Sequence, residues 1–292
     1  MVFVKTAFAA YGSTALFVLL WSSGAIVSET GLQHAPALPF LVMRFALASA
    51  VFAALGVWRG RWLPARGTRL QVALTGGLLT GGYSICYLLA LDHGMTPGIL
   101  ATILGVQPVL TLLLVERRLT IRRAGGLLLA LSGLCLVVLG AGRIGHFPAL
   151  GLLFASASLG CMTVGAILQK RLKQQPVDIL PLQNAVSLVL CVLFLPLQPS
   201  GIVLSAGLLL PLFWLGIVIS VFAQVLFYRL VNAGNLVNVT SLFYLVPVCT
   251  AIMDYIFLGS HLAPAGVAGM ALILAGLVLV FRATPVHNVG HA

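Results

Sequence analysis

Ten stretches of roughly 20 predominantly apolar residues follow one another along this chain, and about that length of helix crosses the hydrocarbon core of a bilayer. They cover residues 8–28, 38–58, 70–91, 97–116, 124–141, 149–169, 179–197, 208–230, 235–258 and 264–282. The connections are short, so little chain remains to build a soluble domain with an activity of its own. Only 7% of the 292 residues are charged, against about 25% in an ordinary soluble domain. Sixteen basic and five acidic side chains cannot cover a water-facing surface of this size. A mean hydropathy of +1.13 also excludes a disordered chain. The five cysteines lie in apolar runs without CxxC spacing, which excludes a disulfide scaffold.

The spans read as helices. Barrel strands alternate apolar and polar residues, whereas Leu127 to Leu131 and Leu272 to Val280 are continuously apolar. Over such runs only a helix satisfies its own backbone hydrogen bonds in hydrocarbon. The first span is too long for a signal-peptide core and lacks an Ala-x-Ala cleavage site after Trp21, Ser22, Ser23 and Gly24. It reads as a retained helix.

The formal net charge of +11 becomes informative once the charges are placed. With the N-terminus inside, the inner segments carry Lys5, Arg59, Arg61, Arg66, Arg69, Arg117, Arg118, Arg122, Arg123, Lys170, Arg171, Lys173, Arg229 and Arg282. Only Arg143 falls outside, and Arg44 lies within a span. Basic residues concentrate on the cytoplasmic side of membrane proteins. The pattern predicts both termini in the cytoplasm and requires no nucleic-acid partner. Short loops and Arg in excess of Lys suggest a bacterial inner membrane.

The chain also resembles itself. Pro108-Val109-Leu110-Thr111 recurs as Pro247-Val248-Cys249-Thr250 at an offset of 139. Leu131-Ser132-Gly133-Leu134-Cys135-Leu136-Val137 recurs as Leu274-Ala275-Gly276-Leu277-Val278-Leu279-Val280 at 143, as does Gly126 as Gly269. Pro36 and Pro176 open the second and seventh spans at 140. Residues 1–145 and 146–292 therefore read as two five-helix halves of one membrane domain. Five is odd, so the halves insert with opposite orientation. The expected fold is all-α and polytopic, ten transmembrane helices in a 5+5 inverted-topology repeat. Such repeats are the architecture of alternating-access carriers.

At this point the residues resemble a known family. Ten helices in a 5+5 arrangement, prolines in the fourth and ninth spans, and Gly126…Gly133 and Gly269…Gly276 in the last helix of each half are similar to EamA-type exporters of the drug/metabolite transporter superfamily. So is Tyr87-Leu88-Leu89-Ala90-Leu91 leading into Pro97-Gly98 and Gln107-Pro108. Within the superfamily the chain looks most like the YddG-type aromatic amino-acid exporters. That resemblance implies export of aromatic and other neutral amino acids. One departure is the Gly-Glu pair the family often places before each half's last helix. Glu116 stands in a shifted setting here, and Gly259-Ser260 lacks the acid.

Polar groups within spans point to candidate site residues, because they are costly in hydrocarbon. Tyr83 and Tyr87 share a helix face after the glycine-rich Gly76, Gly77, Gly81 and Gly82. Gln107 precedes Pro108, and Gly105 would ease a bend there; Pro247 is the counterpart, with Asn238, Thr240, Ser241 and Tyr244 before it. A proline inside a helix frees the carbonyl four residues back and kinks it. Gly105, Pro108 and Pro247 are thus candidate hinges or gates, with ordinary kinked packing as the alternative. The eighth span offers Trp214, Ser220, Gln224, Phe227 and Tyr228; the first offers Phe17 and Trp21. The glutamine amide both donates and accepts, so it can hold either end of a zwitterion. Packing, lipid-facing aromatics and interhelical hydrogen bonds are the competing roles for these residues. Asp254 is the one acid well inside a span; it is expected to partner Arg44, with proton binding as the alternative.

There is no HExxH, no GxSxG and no metal-ligand cluster, so neither an enzyme nor a metal site nor a bound cofactor is expected. No channel filter is recognisable. A carrier of small neutral, aromatic or hydrophobic amino acids is the leading expectation. Amphipathic drugs, and then nucleotide sugars, rank below it, and the oligomeric state is left open.

Overall fold

The computed structural model describes residues 2–60, 63–95, 97–116, 120–140, 148–198, 201–249, 252 and 264–282, and all regular structure among them is helical. In chain order the helices are α1 (Val2–Leu32), α2 (Ala37–Arg59), α3 (Arg69–Asp92), α4 (Pro97–Leu104), α5 (Gln107–Val115), α6 (Ile121–Gly140), α7 (Ala149–Arg171), α8 (Pro176–Phe194), α9 (Ala206–Ala233), α10 (Leu236–Ser241) and α11 (Pro264–Arg282). Eight of the described helices are long and apolar enough to cross a membrane. Within the expected fourth and ninth spans the described residues form the apolar stretches Ile99–Val115 and Leu236–Cys249, each interrupted along its length.

The prolines explain the interruptions. Pro108 has no N–H for the carbonyl four residues back, so the helix cannot run continuously through it. The chain turns at Gly105 and Val106, between α4 and α5. A Cβ at Gly105 would collide with Leu134 Cδ2, so glycine also lets this turn lie against α6. Before Pro247 the chain tightens from α10 into a 3-10 turn, Leu242–Tyr244.

Two long helices are irregular in the middle. In α3 the segment Gly77–Gly82 is π-helical, and in α9 so is Trp214–Ala223. A π turn shifts backbone carbonyls out of register and is often found at functional sites.

The packing is set by close backbone approach. Helices α6 and α11 form the most extensive pair among the described elements. They run antiparallel, with Gly126 against Gly276 and Gly133 against Gly269. A Cβ on Gly133 would lie 2.5 Å from the Gly269 carbonyl oxygen, and one on Gly269 would lie 2.5 Å from that of Gly133. Around this seam Leu127, Ala130, Ile273, Leu277 and Tyr244 are fully buried or nearly so. Small residues drive membrane helices together by van der Waals contact, since lipid offers no hydrophobic gradient between them. Elsewhere α2 packs on α8 and on the π segment of α9, while α3 is held between α7 and α8.

Replacing Gly133 or Gly269 by leucine should overpack this seam and cost about 2 kcal/mol. The expected result is a lower thermal midpoint of the detergent-solubilised protein. Gly125→Leu and Gly160→Leu, where nothing lies within 4 Å of an added Cβ, should leave the midpoint unchanged.

Candidate functional site

Aromatic residues from three parts of the chain meet in the interior. Phe17 and Trp21 lie one turn apart on α1, Phe227 is on α9, and Phe243 is in the 3-10 turn after α10. Every pair of these four rings is in contact, with centroids 5.3 to 5.7 Å apart. Phe17 stacks on Phe227 at 13°, and Phe243 meets Phe17 edge-on at 77°. Offset stacking and edge contacts are the favourable geometries for aromatic quadrupoles. Phe17 and Phe227 are buried, whereas Trp21 and Phe243 keep accessible surface.

A polar group adjoins this cluster. Gln224 on α9 donates its amide Nε2–H to Thr80 Oγ1 at 2.8 Å and lies 3.3 Å from the Tyr228 hydroxyl. Tyr228 and Thr80 are themselves 3.3 Å apart. Thr80 belongs to the π segment of α3, so the triangle ties α3 to α9. A buried polar network with its members paired is rigid and specifies one arrangement.

On its other side Trp21 leads to a second region. Tyr83 and Tyr87 present rings 5.7 Å apart on α3, both partly exposed. Tyr83 lies beside Trp21 and the Arg44 guanidinium, and Tyr87 also lies near Arg44. Arg44 on α2 donates from Nε to Ser220 Oγ at 2.9 Å. Trp214 donates its indole N–H to Ser23 Oγ at 2.9 Å, joining α9 to α1. The region is thus an apolar aromatic wall, a neutral polar triangle and one cation. An arginine in the middle of a membrane helix costs about 3 kcal/mol on insertion scales, so its retention marks it out.

The remaining candidates go elsewhere. Gln107 is fully buried, and among the described residues neither of its side-chain polar atoms has a hydrogen-bond partner; its helix, α5, packs against α10, α7 and α6. Tyr244 is buried in the α6–α11 core and donates to the Leu127 carbonyl at 3.4 Å. Asn238 accepts from Arg123 Nη2 at 2.8 Å, at the end of the bundle that carries most of the basic residues. Asp254 lies outside the described residues, and among these no carboxylate forms an ion pair with Arg44.

That basic end is tied across the chain. Arg123, 3% exposed, bonds Glu116 and also donates to Asn235 Oδ1 at 2.7 Å. Asn235 caps α10 by accepting from the N–H groups of Val237 and Asn238. Lys170 donates to the carbonyls of Val231, Asn232 and Gly234 at 2.6, 3.0 and 2.6 Å. These are the free carbonyls at the C-terminus of α9, where a cation is favoured. Arg59 pairs with Asp178 at 3.0 Å. At the opposite end Glu29 and Leu32 of α1, Gln33 just beyond it, and Leu91, Asp92 and Met95 line a cavity of about 280 Å³.

Sequence reasoning left Thr80, Phe243 and Arg123 out of the site. Thr80 and Phe243 stand in apolar runs where nothing separates them from packing residues. Arg123 reads as one more inner-loop charge. Asn235, three residues before Asn238, carries a helix N-cap signal that would have drawn attention to this end.

The profile of the EamA-like transporter family matches residues 9–139 and again residues 149–282. The chain is 24% identical to "Uncharacterized transporter YvbV" of Bacillus subtilis (strain 168) over 282 residues, covering 91% of this chain and 89% of that protein. A solved crystal structure 23% identical in sequence superposes with a TM-score of 0.76, covering 92% of this chain and 98% of the other. That likeness concerns the fold.

The network predicts a specific loss. Gln224→Leu removes the donor between Thr80 and Tyr228, and each lost buried bond is worth about 1 kcal/mol. The variant's thermal midpoint should fall below wild type, with Gln224→Glu falling further because it brings an unpaired charge.

Proposed function

The chain belongs to the EamA-like transporter family, and from that premise we propose that it exports small neutral amino acids with aromatic or apolar side chains by alternating access. The observation that carries this reading is the four-ring cluster of Phe17, Trp21, Phe227 and Phe243 beside the Gln224–Thr80–Tyr228 triangle. An aromatic side chain stacks on the first, and a polar head finds donors and acceptors in the second. Binding sites of this kind are mostly apolar with a few placed polar groups.

The 5+5 inverted repeat belongs to the same proposal. One family profile matches two successive stretches. The π segments Gly77–Gly82 and Trp214–Ala223 lie about one repeat offset apart, with Thr80 and Ser220 separated by 140. The α6–α11 seam is reciprocal: Gly126 meets the counterpart of Gly133, and Gly133 meets the counterpart of Gly126. That is the pattern a two-fold axis produces.

Orientation follows from charge. The positive-inside rule puts the basic end in the cytoplasm of a bacterial inner membrane. Ties through Arg123, Lys170 and Arg59 close that end, while the Glu29–Asp92 cavity lies at the other. We read the basic end as closed in this arrangement. Gly105 with Pro108, and Pro247, supply the bends that alternation requires.

Exchange of labelled phenylalanine in proteoliposomes tests the function. Saturable counterflow is expected, with Trp21→Ala and Phe243→Ala lowering it about tenfold at unchanged expression. Flux that rises linearly with concentration and shows no exchange would indicate a channel, and no flux at all would overturn the substrate class.

The closed end has its own test. Arg123→Ala removes the hub of the Glu116, Asn235 and Asn238 cluster. In a cysteine-free background a Thr240→Cys side chain, buried at this end, should then react with maleimide at least threefold faster. An unchanged rate would mean that the cluster does not hold the end shut.

A further inference from the structure

We propose that the Arg44 guanidinium is the anion anchor of the transport site and binds the single carboxylate of the substrate. The inference rests on the carrier reading above and adds the chemical group that the carrier selects.

Four observations lead to it. First, among the described residues no carboxylate pairs with Arg44. The ion pairs formed among the described residues are Arg59–Asp178 and Arg123–Glu116, both at the basic end. The titratable side chains that face Arg44 are Tyr83 and Tyr87 of α3 and Cys191 of α8, all neutral at physiological pH. Buried charges are ordinarily paired, and a cation with no counter-ion among the described residues is suited to an anionic ligand.

Second, the guanidinium is held by one edge. Nε–H donates to Ser220 Oγ, and Ser220 Oγ donates in turn to the Leu215 carbonyl at 2.8 Å, five residues back in the π segment of α9. With its proton committed to Leu215, the serine oxygen presents a lone pair to Arg44. The π turn thereby fixes the tilt of the guanidinium plane. Among the described residues this is the one hydrogen bond that Arg44 makes. The two Nη groups stay available, and their parallel N–H bonds match the two oxygens of a carboxylate.

Third, the group is reachable. Arg44 keeps accessible surface although α2, α3, α8 and α9 surround it, and Trp21, Tyr83 and Tyr87 beside it are also partly exposed. An oxyanion on Arg44 places the rest of the molecule against these rings.

Fourth, the charge count selects the ligand. One cation balances one negative charge, which suits a monocarboxylate or a zwitterion and does not suit a nucleoside diphosphate. The same charge repels organic cations. Among the described residues no acid faces Arg44 to hold an ammonium, so the anchor recognises the carboxylate and tolerates the loss of the amine.

The test uses the purified full-length protein in nanodiscs with three probes: phenylalanine, 3-phenylpropionate, which lacks the amine, and phenylalaninamide, which lacks the carboxylate. Affinities are read from ligand-induced thermal shifts for wild type, Arg44→Gln, Arg44→Lys and Ser220→Ala. Wild type is expected to bind both carboxylates at least tenfold more tightly than the amide. Arg44→Gln should abolish that preference, Arg44→Lys should keep part of it, and Ser220→Ala should weaken the carboxylates by a few fold. The ligand-free Arg44→Gln protein should melt no lower than wild type, because an unpaired charge has been removed; a marked drop would show a structural ion pair and overturn the proposal.

Binding of 3-phenylpropionate but not phenylalanine would support the anchor and overturn the amino-acid reading. Phenylalanine exchange with the same KM in wild type and Arg44→Gln would overturn the anchor and leave the carrier reading standing. Preference for the amide, or no binding of any probe, would overturn the anchor. Should Arg44→Gln fail to yield folded protein, the wild-type carboxylate-to-amide ratio still decides.

Discussion

The bundle is organised around the contact of two backbones. Gly126 and Gly133 of α6 lie against Gly276 and Gly269 of α11 so closely that a methyl group would reach the opposing carbonyl. In lipid, helices gain nothing from hiding apolar surface from one another. Association depends on how near they come. The seam supplies that closeness and packs Tyr244, Leu127 and Ile273 around it. Helices α1, α2, α3, α8 and α9 lie largely free of this pair, and their side chains build the candidate site.

Regular helix is interrupted where those side chains gather. The π segments of α3 and α9 hold Thr80 and Ser220. The 3-10 turn after α10 holds Phe243. In hydrocarbon each break leaves backbone groups that must find other partners, so irregular backbone survives where protein or a cavity surrounds it. Ser220 shows the arrangement: its hydroxyl takes up the Leu215 carbonyl and orients Arg44 at the same time. A backbone irregularity becomes a means of positioning a charge.

Several site residues were legible because chemistry made them costly. Tyr83, Tyr87, Gln224 and Tyr228 share helix faces within apolar spans, and Arg44 stands alone in one. The helix breaks at Gly105–Val106 and before Pro247 follow from proline's missing N–H. Other candidates went elsewhere because face and depth depend on neighbours. Asn238 belongs with Arg123 at the basic end, and Tyr244 points into the α6–α11 core. Phe243 was not legible, since a phenylalanine that lines a site and one that fills a core have the same local sequence.

Class and orientation are properties of sums along the chain. Apolar runs of about 20 residues determine that helices cross a membrane, because hydrocarbon thickness and helix rise are fixed. The placement of basic residues sets the expected orientation for the same additive reason. Which rings meet, which carbonyls are freed, and whether Arg44 finds a carboxylate are decided by approach distances between helices far apart in sequence. Phe17 and Phe227 are 210 residues apart, and their centroids lie 5.5 Å from each other. No local pattern encodes such a meeting, because it depends on how every intervening helix packs.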